Sequence, residues 1–155
     1  LGATVTGVSG PAKAELVRSL GASRVIDHTT TSLRDLGEQF DAILDIGGHR
    51  SVAELRGLLT ERGTLVIVGS EGGGRWLGGL ERSIGAALLS PFVKQTLVMF
   101  VSSENAADLA ALNEVIDRGA LRPVVEKAFP LEQAAAAVDH VASGASRGKI
   151  VVLGQ

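Results

Sequence analysis

The sequence predicts an α/β fold in which a parallel sheet carries helices on both faces. Short runs rich in Val, Ile and Leu alternate with amphipathic stretches of helical length, a pattern typical of βαβ units. Glycine supplies 20 of the 155 residues and aromatic residues only 3%, as expected for closely packed layers with many strand-to-helix turns. Helical crossovers of this kind require parallel strands and right-handed connections.

The strands are predicted from apolar runs that end near Gly, Ser, Asp or His. We expect strands over residues 4–8, 24–27, 41–46, 64–68 and 96–101. Each run is short and bounded by turn residues, which favours a buried strand over a helix. An extended segment over 124–129 and an apolar run over 149–153 follow, and neither continues the simple alternation.

Helices are predicted between these strands. The expected ranges are 12–20, 32–39, 51–59, 105–118 and 131–142. The first three are the crossovers, and Gly21 and Gly63 follow the first and third, where a left-handed turn could end each helix. His49 and His140 lack a partner that the sequence identifies, so we expect them to be surface or helix residues.

Composition excludes several classes of site. The chain has no cysteine, which excludes disulfides, thiolate catalysis and cysteine zinc sites and fits a cytoplasmic protein. No metal site is indicated. The net charge of −2 arises from interspersed charges, so nucleic acid is not an expected partner. No apolar run reaches the roughly 18 residues of a membrane span and no signal-peptide pattern is present, so we expect a soluble protein.

The end of the first strand carries the most informative pattern. Ser9 and Gly10 follow the strand, Lys13 lies just beyond, and no acidic residue precedes Glu15. In dinucleotide-binding domains an acid at the end of the second strand hydrogen-bonds the ribose of NAD, whereas a basic residue accommodates the 2′-phosphate of NADP. The pattern favours a phosphate. The alternative is an ordinary helix with a solvated lysine, capped by Ser9 or Gly10 and started by Pro11.

Four segments together resemble the medium-chain dehydrogenase/reductase superfamily, specifically its quinone oxidoreductase-like, zinc-independent branch. They are SLGASRVIDHTTTS, FDAILDIGGHRS, RGTLVIVGSEGG and GALRPVVEKAFPLEQAAAAVDHVASGASRGKIVVLG. Each segment is weak evidence alone, but their order and spacing are specific and cover essentially the whole chain. The resemblance implies an incomplete Rossmann nucleotide-binding domain over 1–119 and a segment over 120–155 that rejoins the catalytic domain in the family.

The resemblance also implies an NADPH site. Ser9 and Lys13 match positions that contact the adenosine 2′-phosphate in NADP-dependent members. His28 follows the Val-Ile-Asp strand at a position where relatives often place a Tyr or His against the same phosphate. The alternative for His28 is a capping or solvent-facing loop residue. If His28 does meet the phosphate, its protonation should raise NADPH affinity at low pH.

The nicotinamide end is assigned by the resemblance to two further strand ends. The residues are Val68, Gly69, Ser70, Met99, Phe100 and Val101. The first three match the loop that passes the nicotinamide and its ribose, and the last three match the segment whose backbone meets the carboxamide. Core or edge-strand packing explains the apolar members equally well. No catalytic residue can be named from this chain.

The family's first strand, its glycine-rich pyrophosphate loop and its amino-terminal GroES-like domain have no counterpart in these residues. In the sheet order 3-2-1-4-5-6 the first strand separates strand 2 from strand 4, so its loss leaves unpaired edges. We therefore expect either a fragment of a longer enzyme or a gap closed by rearrangement or by pairing with another copy. In the family, the strand equivalent to residues 96–101 pairs across a two-fold axis, which predicts a homodimer.

Three functions stay open. The first is the nucleotide-binding part of an NADPH-dependent reductase that transfers hydride to a small-molecule substrate, a quinone or an activated carbonyl compound such as an enone. We expect no turnover from the isolated chain in that case. The second is a non-catalytic nucleotide-binding or dimerisation module, and the third is part of a zinc-dependent alcohol dehydrogenase of the same superfamily.

Overall fold

A computed structural model describes residues 2–47, 50–68, 93–100, 103 and 105–154. The chain divides into two compact units, one made of Leu1–Thr30 with Glu104–Gln155 and the other of Thr31–Ser103. The strands of the described residues are β1 (Thr6–Ser9), β2 (Arg24–Asp27), β3 (Phe40–Asp45), β4 (Leu59–Ile67), β5 (Thr96–Met99), β6 (Val125–Pro130) and β7 (Lys149–Leu153). The α-helices are α1 (Ala14–Ser19), α2 (Val52–Gly57), α3 (Ala106–Asp117) and α4 (Ala134–Ala142).

In the first unit, β1 and β2 form a parallel sheet that pairs Ser9 with Asp27. A 3₁₀ turn over Pro11–Lys13 leads from β1 into α1, and α1 then packs closely on β1. A β-carbon added to Gly7 would lie 2.4 Å from Cγ1 of Val17, so this packing requires glycine at that position. Gly21 has a φ of 103° and ends the helix in the left-handed turn that the sequence predicts.

The same unit holds a second parallel sheet, formed by β6 and β7. Its core includes Phe129 and Ala137, both almost fully buried. The Glu126 carboxylate accepts hydrogen bonds from the backbone N–H groups of Arg147 and Gly148, and it lies 3.3 Å from Nε2 of His140. The hydrogen bond from Arg147 is the main cause that lowers the pKa of Glu126. The carboxylate therefore connects the start of β6 to the loop before β7 and gives His140 a partner that the sequence did not indicate.

The second unit contains the parallel sheet β3-β4-β5. Its core consists of Leu55, Leu59, Leu65 and Ile67, with Ile43, Val52 and Leu97 packed against it. The hydroxyl of Ser51 accepts a hydrogen bond from the backbone N–H of Glu54, which caps the start of α2. The register of β3 and β4 shifts between Phe40 and Ala42, so β4 is irregular at its start.

The structure confirms the parallel α/β class. Its described strands form three sheets, β1-β2, β3-β4-β5 and β6-β7, instead of one. Among the described helices, none combines the length and the apolar character that crossing a bilayer would need.

Two local predictions are wrong. Residues 32–39 form only one 3₁₀ turn, Leu33–Asp35, because Gly37 adopts a φ of 65° and ends the helical path after a single turn. Gly63 does not end a helix; it lies buried inside β4, where an added β-carbon would come within 3.0 Å of the Phe40 carbonyl oxygen. The pairing of Phe40 with Leu59 draws the residues after α2 into the strand.

Candidate functional site

The first candidate site lies where β1 and β2 end. Because the two strands are parallel, their carboxyl ends meet at one edge of the sheet, the edge where ligands bind in open α/β sheets. The backbone N–H of His28 donates a hydrogen bond to the Ser9 carbonyl oxygen at 3.2 Å. The structure therefore places Ser9 and His28 side by side, as the sequence predicts.

Gly10 and Lys13 complete this group. The backbone N–H of Lys13 donates to the Gly10 carbonyl at 3.1 Å, which closes the 3₁₀ turn. Nε2 of His28 lies 3.7 Å from the position that a β-carbon on Gly10 would occupy, so the imidazole ring reaches across the end of β1. His28 and Lys13 are exposed. The hydroxyl of Ser9 and the imidazole of His28 thus lie at one edge of the sheet, and Lys13 is an exposed residue of the turn that follows it.

Ser9 does not cap the helix that follows. Its hydroxyl donates to the Gly10 carbonyl at 3.2 Å. Gly10 occupies the capping position before the turn, and because it has no side chain it makes no side-chain capping hydrogen bond. Pro11 does occupy the first position of the turn, as predicted. The hydroxyl oxygen keeps its acceptor capacity, and its proton can turn toward a ligand because a hydroxyl rotates freely.

Sequence reasoning missed the environment of Asp27. Its Oδ1 accepts two hydrogen bonds from Thr29, one from the backbone N–H at 2.9 Å and one from the hydroxyl at 2.7 Å. The Thr29 hydroxyl first, and the Thr29 backbone second, lower the pKa of Asp27. The arrangement is an Asx turn, and an Asp two residues before a Thr is the signal that could have indicated it.

The predicted nicotinamide residues belong to the second unit. Val68 follows β4 and its backbone N–H donates to the Asp45 carbonyl at 2.9 Å, while the N–H of Phe100 donates to the Ile67 carbonyl at 2.9 Å. Met99 and Phe100 are exposed. Val68, Met99 and Phe100 thus lie at the carboxyl ends of β4 and β5, where the sequence predicts them. The remaining residues of that prediction, Gly69, Ser70 and Val101, lie outside the described residues, as does His49.

Comparison with known proteins identifies the family. The family model described as "Zinc-binding dehydrogenase" matches residues 20–152, which is most of the chain. The chain belongs to the zinc-binding dehydrogenase family. This family is part of the medium-chain dehydrogenase/reductase superfamily that the sequence motifs indicate, so the predicted resemblance is confirmed.

Curated relatives of this zinc-binding dehydrogenase domain include two named oxidoreductases. The chain is 34% identical over 167 residues to the mitochondrial NAD(P)H oxidoreductase RTN4IP1 of Mus musculus, covering 97% of this chain and 42% of that protein. It is 29% identical over 150 residues to the chloroplastic NADPH-dependent alkenal/one oxidoreductase of Arabidopsis thaliana, covering 96% of this chain and 33% of that one. The chain therefore spans less than half the length of either relative.

Solved structures agree on the fold. The quinone oxidoreductase from Coxiella burnetii superposes with a TM-score of 0.73 at 21% identity, over 98% of this chain and 45% of that one. At this identity the match supports the fold alone. It confirms the α/β assignment and again covers less than half of the neighbour.

The family name raises the question of zinc, and the described residues do not fit a zinc site. In the part of the chain that the structure describes, no three His, Asp or Glu side chains form a group that could hold a metal ion. The sequence has no cysteine to supply a thiolate ligand. We therefore derive no catalytic step through zinc from these residues.

Proposed function

We propose that this chain is the nucleotide-binding portion of an NADPH-dependent oxidoreductase that reduces quinones or other activated carbonyl compounds. One observation carries the proposal: Ser9 and His28 lie side by side at the carboxyl ends of β1 and β2, and Lys13 lies in the turn that follows β1. The bound cofactor would supply a hydride to the substrate. The residues of this chain would bind and orient the cofactor, and the isolated chain would show no turnover.

The chemistry of the three side chains fits a phosphate monoester. Such a group carries about −1.5 to −2 charges near pH 7 and three strong acceptor oxygens. Lys13 offers an ammonium group with three N–H donors, Ser9 a hydroxyl donor, and His28 an imidazole ring that can donate an N–H. The Asp27 carboxylate, at the end of β2, accepts hydrogen bonds from Thr29, whereas an NAD-selecting acid would accept them from a ribose hydroxyl. The name of the Arabidopsis relative, which specifies NADPH, supports the same choice.

A comparison of NADPH and NADH binding tests this function. We expect the full-length protein to bind NADPH at least several-fold more tightly than NADH at one fixed pH, because only NADPH carries the 2′-phosphate. Fluorescence titration of both cofactors measures the ratio of the two affinities. Equal affinities would contradict a 2′-phosphate site.

His28→Ala should lower the affinity for NADPH and leave NADH binding unchanged. His140→Gln is the matched control, since His140 lies on α4 of the same unit and contacts Glu126. The control should keep the wild-type affinity for NADPH. If His28→Ala retains the full NADPH affinity, His28 does not meet the phosphate.

We further propose a homodimer that forms through β5. This strand pairs with β4, and within the described residues no other strand pairs with it. Leu97 packs on the core, whereas Val98 and Met99 are 39% and 47% exposed. An apolar, exposed edge strand of this kind needs a cover, and a second copy of the chain can provide it.

Val98→Lys should yield monomers in light scattering at concentrations where the wild-type protein is dimeric, because each dimer would bury two ammonium groups at the paired edge. Val138→Lys is the matched control, since Val138 is an exposed valine on α4, and it should leave the dimer intact. An undiminished dimer in Val98→Lys would exclude this interface.

Two organisational features are also proposals. Residues 120–155 would rejoin a catalytic domain in the full-length enzyme, and residues 1–119 would form its incomplete nucleotide-binding domain. The expected compartment is the cytoplasm, although the two named relatives are mitochondrial and chloroplastic.

A further inference from the structure

The turn after β2 is held by one side chain. Asp27 Oδ1 accepts from both the backbone N–H and the hydroxyl of Thr29, and the Asp27 carbonyl accepts from the N–H of Thr30 at 3.3 Å. An Asp that bonds to the backbone two residues later closes a compact turn and limits the conformations of the residue between them. That residue is His28.

His28 is also held from the other side. Its own N–H donates to the Ser9 carbonyl of the neighbouring strand at 3.2 Å. With the backbone of His28 fixed before and after the residue, its imidazole lies next to Gly10, where Nε2 approaches the Cβ position to 3.7 Å. Because His28 is exposed, the core does not enclose its ring, and its placement depends on this turn.

We propose that Asp27 and Thr29 are positioning residues that hold the His28 ring over Gly10 and thereby set the preference for a 2′-phosphorylated nucleotide. The selectivity half of this inference rests on the proposed function. Neither residue touches the nucleotide. Their effect passes through His28, as expected of a group that supports a binding residue by hydrogen bonds.

A direct electrostatic effect of Asp27 on the phosphate and a positioning role of Asp27 through its hydrogen bonds predict opposite results for the same variants. If the Asp27 charge acted directly on the phosphate, both Asp27→Asn and Asp27→Ala would remove a repulsion and raise the preference for the phosphorylated nucleotide. If Asp27 positions His28, Asp27→Asn retains the Oδ1 acceptor and the Asx turn, whereas Asp27→Ala loses both. Only the alanine variant should then lose selectivity.

The test measures the dissociation constants of 2′,5′-ADP and 5′-AMP, which isolate the adenosine end of the cofactor, by calorimetry on the full-length protein and its variants. We expect Asp27→Ala to lower the ratio of the two affinities at least fivefold and Asp27→Asn to keep or raise it. Thr29→Val, which loses the hydroxyl donor, should lower the ratio, and Thr29→Ser should keep it. A general loss of folding would weaken both ligands alike and leave the ratio unmoved.

An NMR spectrum of the nucleotide-free protein gives an independent test of the positioning role. The ring resonances of His28, assigned by comparison with His28→Ala, should shift further in Asp27→Ala than in Asp27→Asn, because only the alanine variant loses the turn as well as the nearby charge. Equal resonance shifts in the two Asp27 variants, or a selectivity that rises equally in both, overturn the positioning role. A wild-type protein that binds 2′,5′-ADP no better than 5′-AMP instead overturns the proposed function and the selectivity half of the inference, and the resonances still decide whether Asp27 positions the ring.

Discussion

Gly7→Ala is expected to destabilise the protein by about 1–3 kcal/mol, the usual cost of forcing an extra methyl group into a packed interface. The added β-carbon would lie 2.4 Å from Cγ1 of Val17, far inside the roughly 3.5 Å contact distance of two carbon atoms. Val17 is β-branched and lies within α1, where one rotamer dominates. A change of the Val17 rotamer is unfavourable within the helix, so we expect α1 to move off β1.

The same substitution should weaken NADPH binding. α1 follows directly on the 3₁₀ turn that contains Lys13, and a shift of the helix moves that turn relative to Ser9. Urea unfolding followed by circular dichroism gives the stability, and NADPH titration gives the affinity. We expect a lower unfolding midpoint with an unchanged slope, since the compactness of the folded chain is retained.

Val17→Ala provides a rescue, because it removes the methyl group that Gly7→Ala meets. The double variant should be more stable than the sum of the two single effects predicts, with a coupling on the order of 0.5–3 kcal/mol for residues in contact. Gly57→Ala is the matched control, since nothing lies within 4 Å of its β-carbon position at the end of α2. Equal losses of stability in Gly7→Ala and Gly57→Ala would contradict the steric argument.

The sequence predicts correctly those strands whose ends are set by neighbouring turn residues, and it fails where pairing with a distant strand or the conformation of one glycine decides the structure. β2 and β7 have the predicted bounds because each is a short apolar run between turn residues. The start of β4 was predicted as helix because Leu58 and Leu59 continue the apolar spacing of α2, but pairing with Phe40 overrides that spacing. Leu33 and Leu36 suggest a helix in the same way, and the conformation of Gly37 prevents it.

The same distinction holds for the candidate site at the ends of β1 and β2. The family resemblance implies that Ser9 and His28 meet the same phosphate, and the parallel pairing of β1 with β2 is the physical reason that the two residues are neighbours. The hydrogen bonds between Asp27 and Thr29 depend on side-chain rotamers that a strand prediction does not specify. The contact of His140 with Glu126 joins residues 14 positions apart, and it depends on how α4 packs beside β6, which no periodicity in either segment encodes.

Lys13→Glu should raise the dissociation constant for NADPH roughly 10- to 100-fold at low ionic strength, as expected when two units of charge change within a few ångströms of a phosphate. The binding of NADH, which lacks that phosphate, should change less than about threefold. Salt should reduce the difference, because Lys13 is exposed and charges at the surface are screened beyond about 10 Å at 0.1 M salt. Titrations of both cofactors at two salt concentrations measure all three effects.

Two control variants separate the position of the charge from its amount. Lys13→Arg keeps the charge and should retain most of the NADPH affinity, although the guanidinium presents its donors in a different geometry. Arg18→Glu makes the same two-unit change at an exposed residue near the end of α1, and it should alter NADPH affinity no more than about threefold. A loss in Arg18→Glu as large as that in Lys13→Glu would mean that the net charge of the unit attracts the cofactor. A loss confined to Lys13→Glu, and to the phosphorylated cofactor, is the result expected if the residues after β1 form a 2′-phosphate site.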